Sequence, residues 1–137
     1  MLGGMIGSVG SISLADSRTN IGIGTDAEFE DAGTSANIAI GAAALNSTTD
    51  DAQKNIAIGE DSLTALTTAD DNVALGYQTG AALTTTSDVV LIGMNAGLAI
   101  NSADADGTIA IGKTAGQALT SGQKNTYLGF KTGYENA

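Results

Sequence analysis

The chain has 137 residues, 15 acids against five bases, a formal net charge of −10, and no Cys, His, Trp or Pro. An acidic balance of this size lacks the clustered Lys and Arg that drive binding to a nucleic-acid backbone. The missing Cys and His exclude disulfides, the common zinc sites and any Ser-His or Cys-His nucleophile pair, which leaves only carboxylates, Lys and Tyr for acid/base work.

Only Phe29, Tyr77, Tyr127, Phe130 and Tyr134 are aromatic, so Ala, Ile, Leu and Gly must fill a thin, layered core. No stretch reaches the ~18 apolar residues of a membrane helix, so membrane insertion is not expected. Residues 1–15 have no Lys or Arg ahead of their apolar run, which argues against a secretory leader. Residues 1–19 instead read as a degenerate first coil, a capping or attachment segment rich in Gly3, Gly4, Gly7 and Gly10, with Ile6-Gly7 in repeat register.

From residue 20 to 137 one phrase recurs. It runs Ile21-Gly22-Ile23-Gly24, Ile38-Ala39-Ile40-Gly41, Ile56-Ala57-Ile58-Gly59 and Val73-Ala74-Leu75-Gly76, then Val90-Leu91-Ile92-Gly93, Ile109-Ala110-Ile111-Gly112 and Thr126-Tyr127-Leu128-Gly129. The closing glycines are 17, 18, 17, 17, 19 and 17 residues apart. A fixed period of this length marks a solenoid, in which each unit buries its apolar face only against its neighbours. Four residues before the glycine stand Asn20, Asn37, Asn55, Asn72 and Asn125, with Val89 and Thr108 as exceptions.

The unit 55–71 illustrates the predicted coil. Ile56-Ala57-Ile58 is a short strand, and Gly59 supplies a bend or a positive φ. Residues 60–62 turn the corner, the segment 63–66 (LTAL) forms a second short strand, and polar residues lead back to the next Asn. Apolar pieces this short do not make stable isolated helices. The expected fold is therefore all-β: a parallel β-solenoid of seven to eight coils.

Stacked Asn amides predict a hydrogen-bonded ladder at the turn. If the isoleucines point into the coil, the column Gly22, Ala39, Ala57, Ala74 and Ala110 faces outward as a flat strip of small residues. Such a strip suits close packing between copies, and the expectation is a homotrimer with this strip at its interface.

The phrase Asn-[Ile/Val]-Ala-[Ile/Leu]-Gly resembles the head repeats of trimeric autotransporter adhesins. The copies NVALGYQT from Asn72 and NTYLGFKTGY from Asn125 look still more like repeats of phage tail-fibre proteins. The resemblance covers residues 20–137 and implies a left-handed β-roll wound by three chains. It points to a non-enzymatic virion protein, part of a tail fibre or a capsid decoration. The partners it implies are capsid or tail proteins and a host-surface glycan or receptor, at the virion surface or in the extracellular space. The period near 17 is longer than that of the adhesin heads, which implies a larger outer turn.

Three other features compete. Residues 107–114 (GTIAIGKT) match a phosphate-loop pattern, but their middle is the solenoid strand that every coil shares. Asp50, Asp51, Asp70, Asp71, Asp88, Asp104 and Asp106 gather in the return turns, where calcium would find oxygen ligands. A soluble calcium-binding β-roll is therefore the alternative to the virion reading, against a solvated acidic edge with no cofactor. Tyr127, Phe130 and Tyr134 cluster in the last coil and form the candidate partner-binding end.

Overall fold

The computed structural model describes residues 11–13, 20–27, 36–49, 52–101 and 103–134. Eight strands form one sheet in sequence order: β1 (Ser11–Ser13), β2 (Ile21–Gly24), β3 (Ile38–Ile40), β4 (Ile56–Ile58), β5 (Val73–Leu75), β6 (Val90–Ile92), β7 (Ile109–Ile111) and β8 (Thr126–Leu128). From β2 to β8 all pairings are parallel and offset by one repeat, so Ala39 lies beside Ala57 and Ala57 beside Ala74. The chain is a parallel β-solenoid with a repeat of about 17 residues, as its glycine spacing requires.

β1 departs from this pattern. It runs antiparallel to β2, with Ser11 opposite Gly24 and Ser13 opposite Gly22. Residues 11–13 thus close the first edge as a hairpin arm rather than adding a parallel coil. Ile6-Gly7, the core of the expected eighth coil, lies outside the described residues, as does Phe29. Among the described residues, seven parallel strands define the coils.

The segment expected to be a second strand is a run of turns. Two residues past the repeat glycine the chain is left-handed at Ala43, Asp61, Gln78, Asn95, Thr114 and Lys131, with φ between 51° and 59°. Four residues past it the same holds at Leu45, Leu63, Gly80, Gly97 and Gly116, with φ between 50° and 60°. A strand cannot accommodate a left-handed residue at every second position. This wall still bonds from coil to coil, in alternating directions. The Asp61 N–H donates to the Ala42 carbonyl of the preceding coil at 2.9 Å, and the Leu63 N–H to the Thr79 carbonyl of the following coil at 3.0 Å. Backbone groups outside the sheet are satisfied in this way, as burial demands. The longest repeat, Gly93 to Gly112, absorbs its extra residues in a 3-10 turn at Ala103–Ala105.

The core lies between the strand wall and the turn wall. Ala39, Ala57, Ala74, Leu91 and Ala110 enter from the strands with no exposed surface. Leu45, Leu63, Leu66, Leu83 and Ile100 enter from the turns and are equally buried. The sequence-based assignment of faces is therefore inverted. Gly22, Ala39, Ala57, Ala74 and Ala110 point into the coil and cannot form an outer strip. The flanking isoleucines point out. The cause is steric: Leu45, Leu63, Leu66, Leu83 and Ile100 from the turn wall already fill most of a thin interior, so the strand wall has room mainly for Ala.

The swap between walls runs across neighbouring levels. Ala39 and Ala57 face coils carrying Leu45 and Leu63. Where Leu91 replaces the strand Ala, Gly80 and Gly97 stand at the turn position. A Cβ on Gly97 would lie 2.8 Å from Leu91 Cδ2. Where Tyr127 replaces it, Gly116 and Gly133 do the same, and a Cβ on Gly133 would collide with the Tyr127 ring.

Candidate functional site

The outward side of the sheet is apolar along its whole length. One column is Ile21, Ile38, Ile56, Val73, Val90 and Ile109, ending in Thr126; the other is Ile23, Ile40, Ile58, Leu75, Ile92, Ile111 and Leu128. All are at least partly exposed, reaching 37% at Ile21 and Ile23, 39% at Ile58 and 70% at Leu128. Side chains alternate along a strand, so burying the central residue turns both neighbours outward. The two columns were missed as surface residues. The signal that finds them is the exchange of Leu91 and Tyr127 with glycines on the other wall, because only side chains sharing an interior trade volume.

The asparagine ladder is present through the first four copies. The Asn37 N–H donates to Asn20 Oδ1 at 2.9 Å. Asn37 Oδ1 accepts the N–H of Asn55 at 2.8 Å and its Nδ2 at 3.2 Å. Asn55 Oδ1 accepts the same pair from Asn72 at 3.1 and 3.0 Å, and Asn72 Oδ1 accepts the Val89 N–H at 3.1 Å. Each amide nitrogen also ties down its own return turn, from Asn37 to the Ala52 carbonyl, Asn55 to Ala69 and Asn72 to Thr86. The ladder ends at Val89. The Asn125 side-chain amide, separated from it by Thr108, donates to the Gly122 carbonyl of its own coil. A shorter row runs alongside, in which the Thr49 hydroxyl donates to the Thr67 carbonyl at 3.3 Å and Thr67 to Thr84 at 3.0 Å.

The repeat glycines Gly24, Gly41, Gly59, Gly76, Gly93, Gly112 and Gly129 all have φ between 120° and 140°. Gly93 shows why the position is closed to other residues. A Cβ there would lie 2.7 Å from both the carbonyl carbon and oxygen of Gly112 in the next coil. Gly129 lies in the last described coil, and the nearest neighbour to such a Cβ there is Thr132 Cγ2 at 3.6 Å.

The acidic turns are largely engaged with the scaffold. Asp70 Oδ1 accepts the Gln53 N–H at 2.7 Å, and Asp106 Oδ1 accepts the Ser87 N–H at 2.8 Å. Asp71 lies 3.8 Å from the exposed Lys54 ammonium. Asp88 and Asp104 face solvent, and Asp50 and Asp51 lie outside the described residues. Among the described residues no three acids converge as a metal site would require.

The phosphate-loop match is strand. Ile109–Ile111 is β7, Thr108 before it is buried, and Lys113 beyond it faces solvent. A loop that cradles phosphates needs free N–H groups there. Those of Ile109 and Gly112 bond instead to the Asn125 and Ile92 carbonyls.

The last coil divides the aromatic cluster. Tyr127 packs inward against the core, where it fills the end of the stack. Phe130 is 67% exposed, Tyr134 is 40% exposed, and the Lys131 ammonium sits 5.4 and 5.2 Å from their ring centres. Only Phe130 and Tyr134 therefore remain as surface rings at that end. No described helix is long and apolar enough to cross a membrane. No protein-family model, curated protein or solved structure matches the chain.

Proposed function

We propose that this chain is a non-enzymatic structural protein, a trimeric β-solenoid segment of a virion tail fibre or capsid decoration. The observation that carries the reading is the unbroken sheet from β2 to β8, reinforced by bonds between coils in the turn wall and by the asparagine ladder of the first four copies. Such bonding makes a stiff rod, which transmits position and load rather than performing chemistry. The likeness of the repeat to tail-fibre sequences supports the virion setting. Three-fold assembly would triple a weak surface site such as the Phe130–Tyr134 end and raise avidity towards a host glycan or receptor. The calcium-binding alternative is not favoured, because Asp70 and Asp106 already serve as acceptors for backbone N–H groups.

The test is gold labelling of purified particles with an antibody to this chain, viewed by electron microscopy. Label on tails or capsids is the expected result. Particles that carry the protein's gene product nowhere would overturn the virion reading. Melting the purified protein with and without chelator checks the alternative; the expected midpoint is the same in both.

A further inference from the structure

We infer that the outward face of β2–β8 is the surface across which copies of this chain associate side by side, with Leu75 near its centre. This rests on the multi-chain reading above and assigns its interface. Thirteen of the fourteen outward positions of these strands are aliphatic, Thr126 being the exception, and none is ionisable. The charged residues of the described chain all lie in the turns. Two such faces can therefore meet without burying an ion, which is the composition of an interface core.

The described residues leave this face exposed. The interior behind it is already full, with Ala57, Ala74 and Leu91 showing no exposed surface. The area is sufficient for a partner. At roughly 30 Å² per methylene-sized group, thirteen aliphatic side chains exposed by about a third offer on the order of 500 Å². Across two copies that makes about 1,000 Å² buried in total, which is the size at which a specific interface begins.

The occupant follows from the spacing of the rows. The face is a ruled surface with one pair of aliphatics per ~4.8 Å step. A second copy carries the same step and the same two columns, so its rows can interdigitate at every level. A partner without that repeat matches at few levels.

The experiment is light scattering of the purified 13.5 kDa chain beside Leu75→Lys and, as a turn control, Thr85→Lys. The expected result is a multiple of the chain mass for wild type and Thr85→Lys, and the single-chain mass for Leu75→Lys with its circular dichroism retained. Because the chain has no Cys, Leu75→Cys and Thr85→Cys provide a second readout that does not depend on tolerating a charge. Oxidation with copper phenanthroline should link Leu75→Cys chains in pairs and leave Thr85→Cys chains single. An oligomer that survives Leu75→Lys, with no cross-link at Leu75→Cys, overturns this face and leaves the multi-chain reading standing. A wild-type monomer overturns both.

Discussion

At the scale of single residues, two columns hold the coils in register, and each fails differently when altered. The repeat glycine is constrained by its φ and by the carbonyl of the coil beyond it. Gly93→Ala meets both constraints and should cost about 3 kcal/mol or more. Gly129→Ala meets only the backbone constraint, since nothing lies closer to its Cβ than 3.6 Å, and should cost about 1–2 kcal/mol. Denaturant midpoints of the two variants check this ordering; equal losses would mean that coil stacking does not govern the glycine. The Asn55 side chain makes four hydrogen bonds to neighbouring coils and to its own turn, and it is fully buried. Asn55→Ala removes these and strands the Asn72 N–H away from water, for a loss of about 3 kcal/mol. Asn125→Ala breaks only a local contact in a half-open coil and should cost under about 1 kcal/mol by the same unfolding measurement.

At the scale of the element, a coil is two walls sharing one interior. Leu91 fills its level from the strand side, and Gly80 and Gly97 make room for it. Leu91→Ala should cost about 2–5 kcal/mol through the cavity it leaves. Adding Gly97→Ala, harmful alone because its Cβ would lie 2.8 Å from Leu91 Cδ2, should then be better tolerated. A double-mutant cycle is expected to give a favourable coupling of about 1 kcal/mol or more; strict additivity would show that the walls do not share volume. The same exchange explains what the sequence made legible. The period, the strands and the Asn and Gly columns follow from spacing alone, because stacking forces equivalent residues into the same environment. The inside and outside of Ile56-Ala57-Ile58 did not follow, because hydrophobicity normally assigns the larger side chain to the core. Here the size of the cavity decides instead, and that size is set by Leu63 on the other wall. The segment 63–66 likewise has strand-like composition, yet Leu63 is left-handed with φ 50°. No local propensity predicts a bulky residue there. The candidate surface was lost with the same inversion, since the aliphatics that were assigned to the core form it.

At the scale of the whole molecule, stability in a solenoid is close to a sum of coils and of the interfaces between them, so a coil can be removed if its neighbours still match. Two excisions of the same length, 17 residues each, separate matching from mere shortening. Removing residues 56–72 joins Asn55 to Val73. The ladder is kept, because Asn55 then stands where Asn72 stood, directly below Val89. The interior is kept too, because Leu45 then reaches towards Gly80 as Leu63 did. Removing residues 73–89 also joins an Asn to a strand, Asn72 to Val90, and leaves the outward columns equally regular. It deletes Gly80, however, the level into which both Leu63 and Leu91 extend. A Cβ on Gly80 would lie 2.9 Å from Leu63 Cδ2 and 2.8 Å from Leu91 Cδ1, so the two leucines would then compete for one space. Overpacking of this kind costs about 1–3 kcal/mol. The first excision should therefore lower the denaturant slope in proportion to the lost coil and keep a single cooperative transition. The second should lower the slope equally and the midpoint further. If the two proteins unfold alike, the levels of the core are independent of one another, and the exchange of large and small residues between the walls does not hold the stack in order.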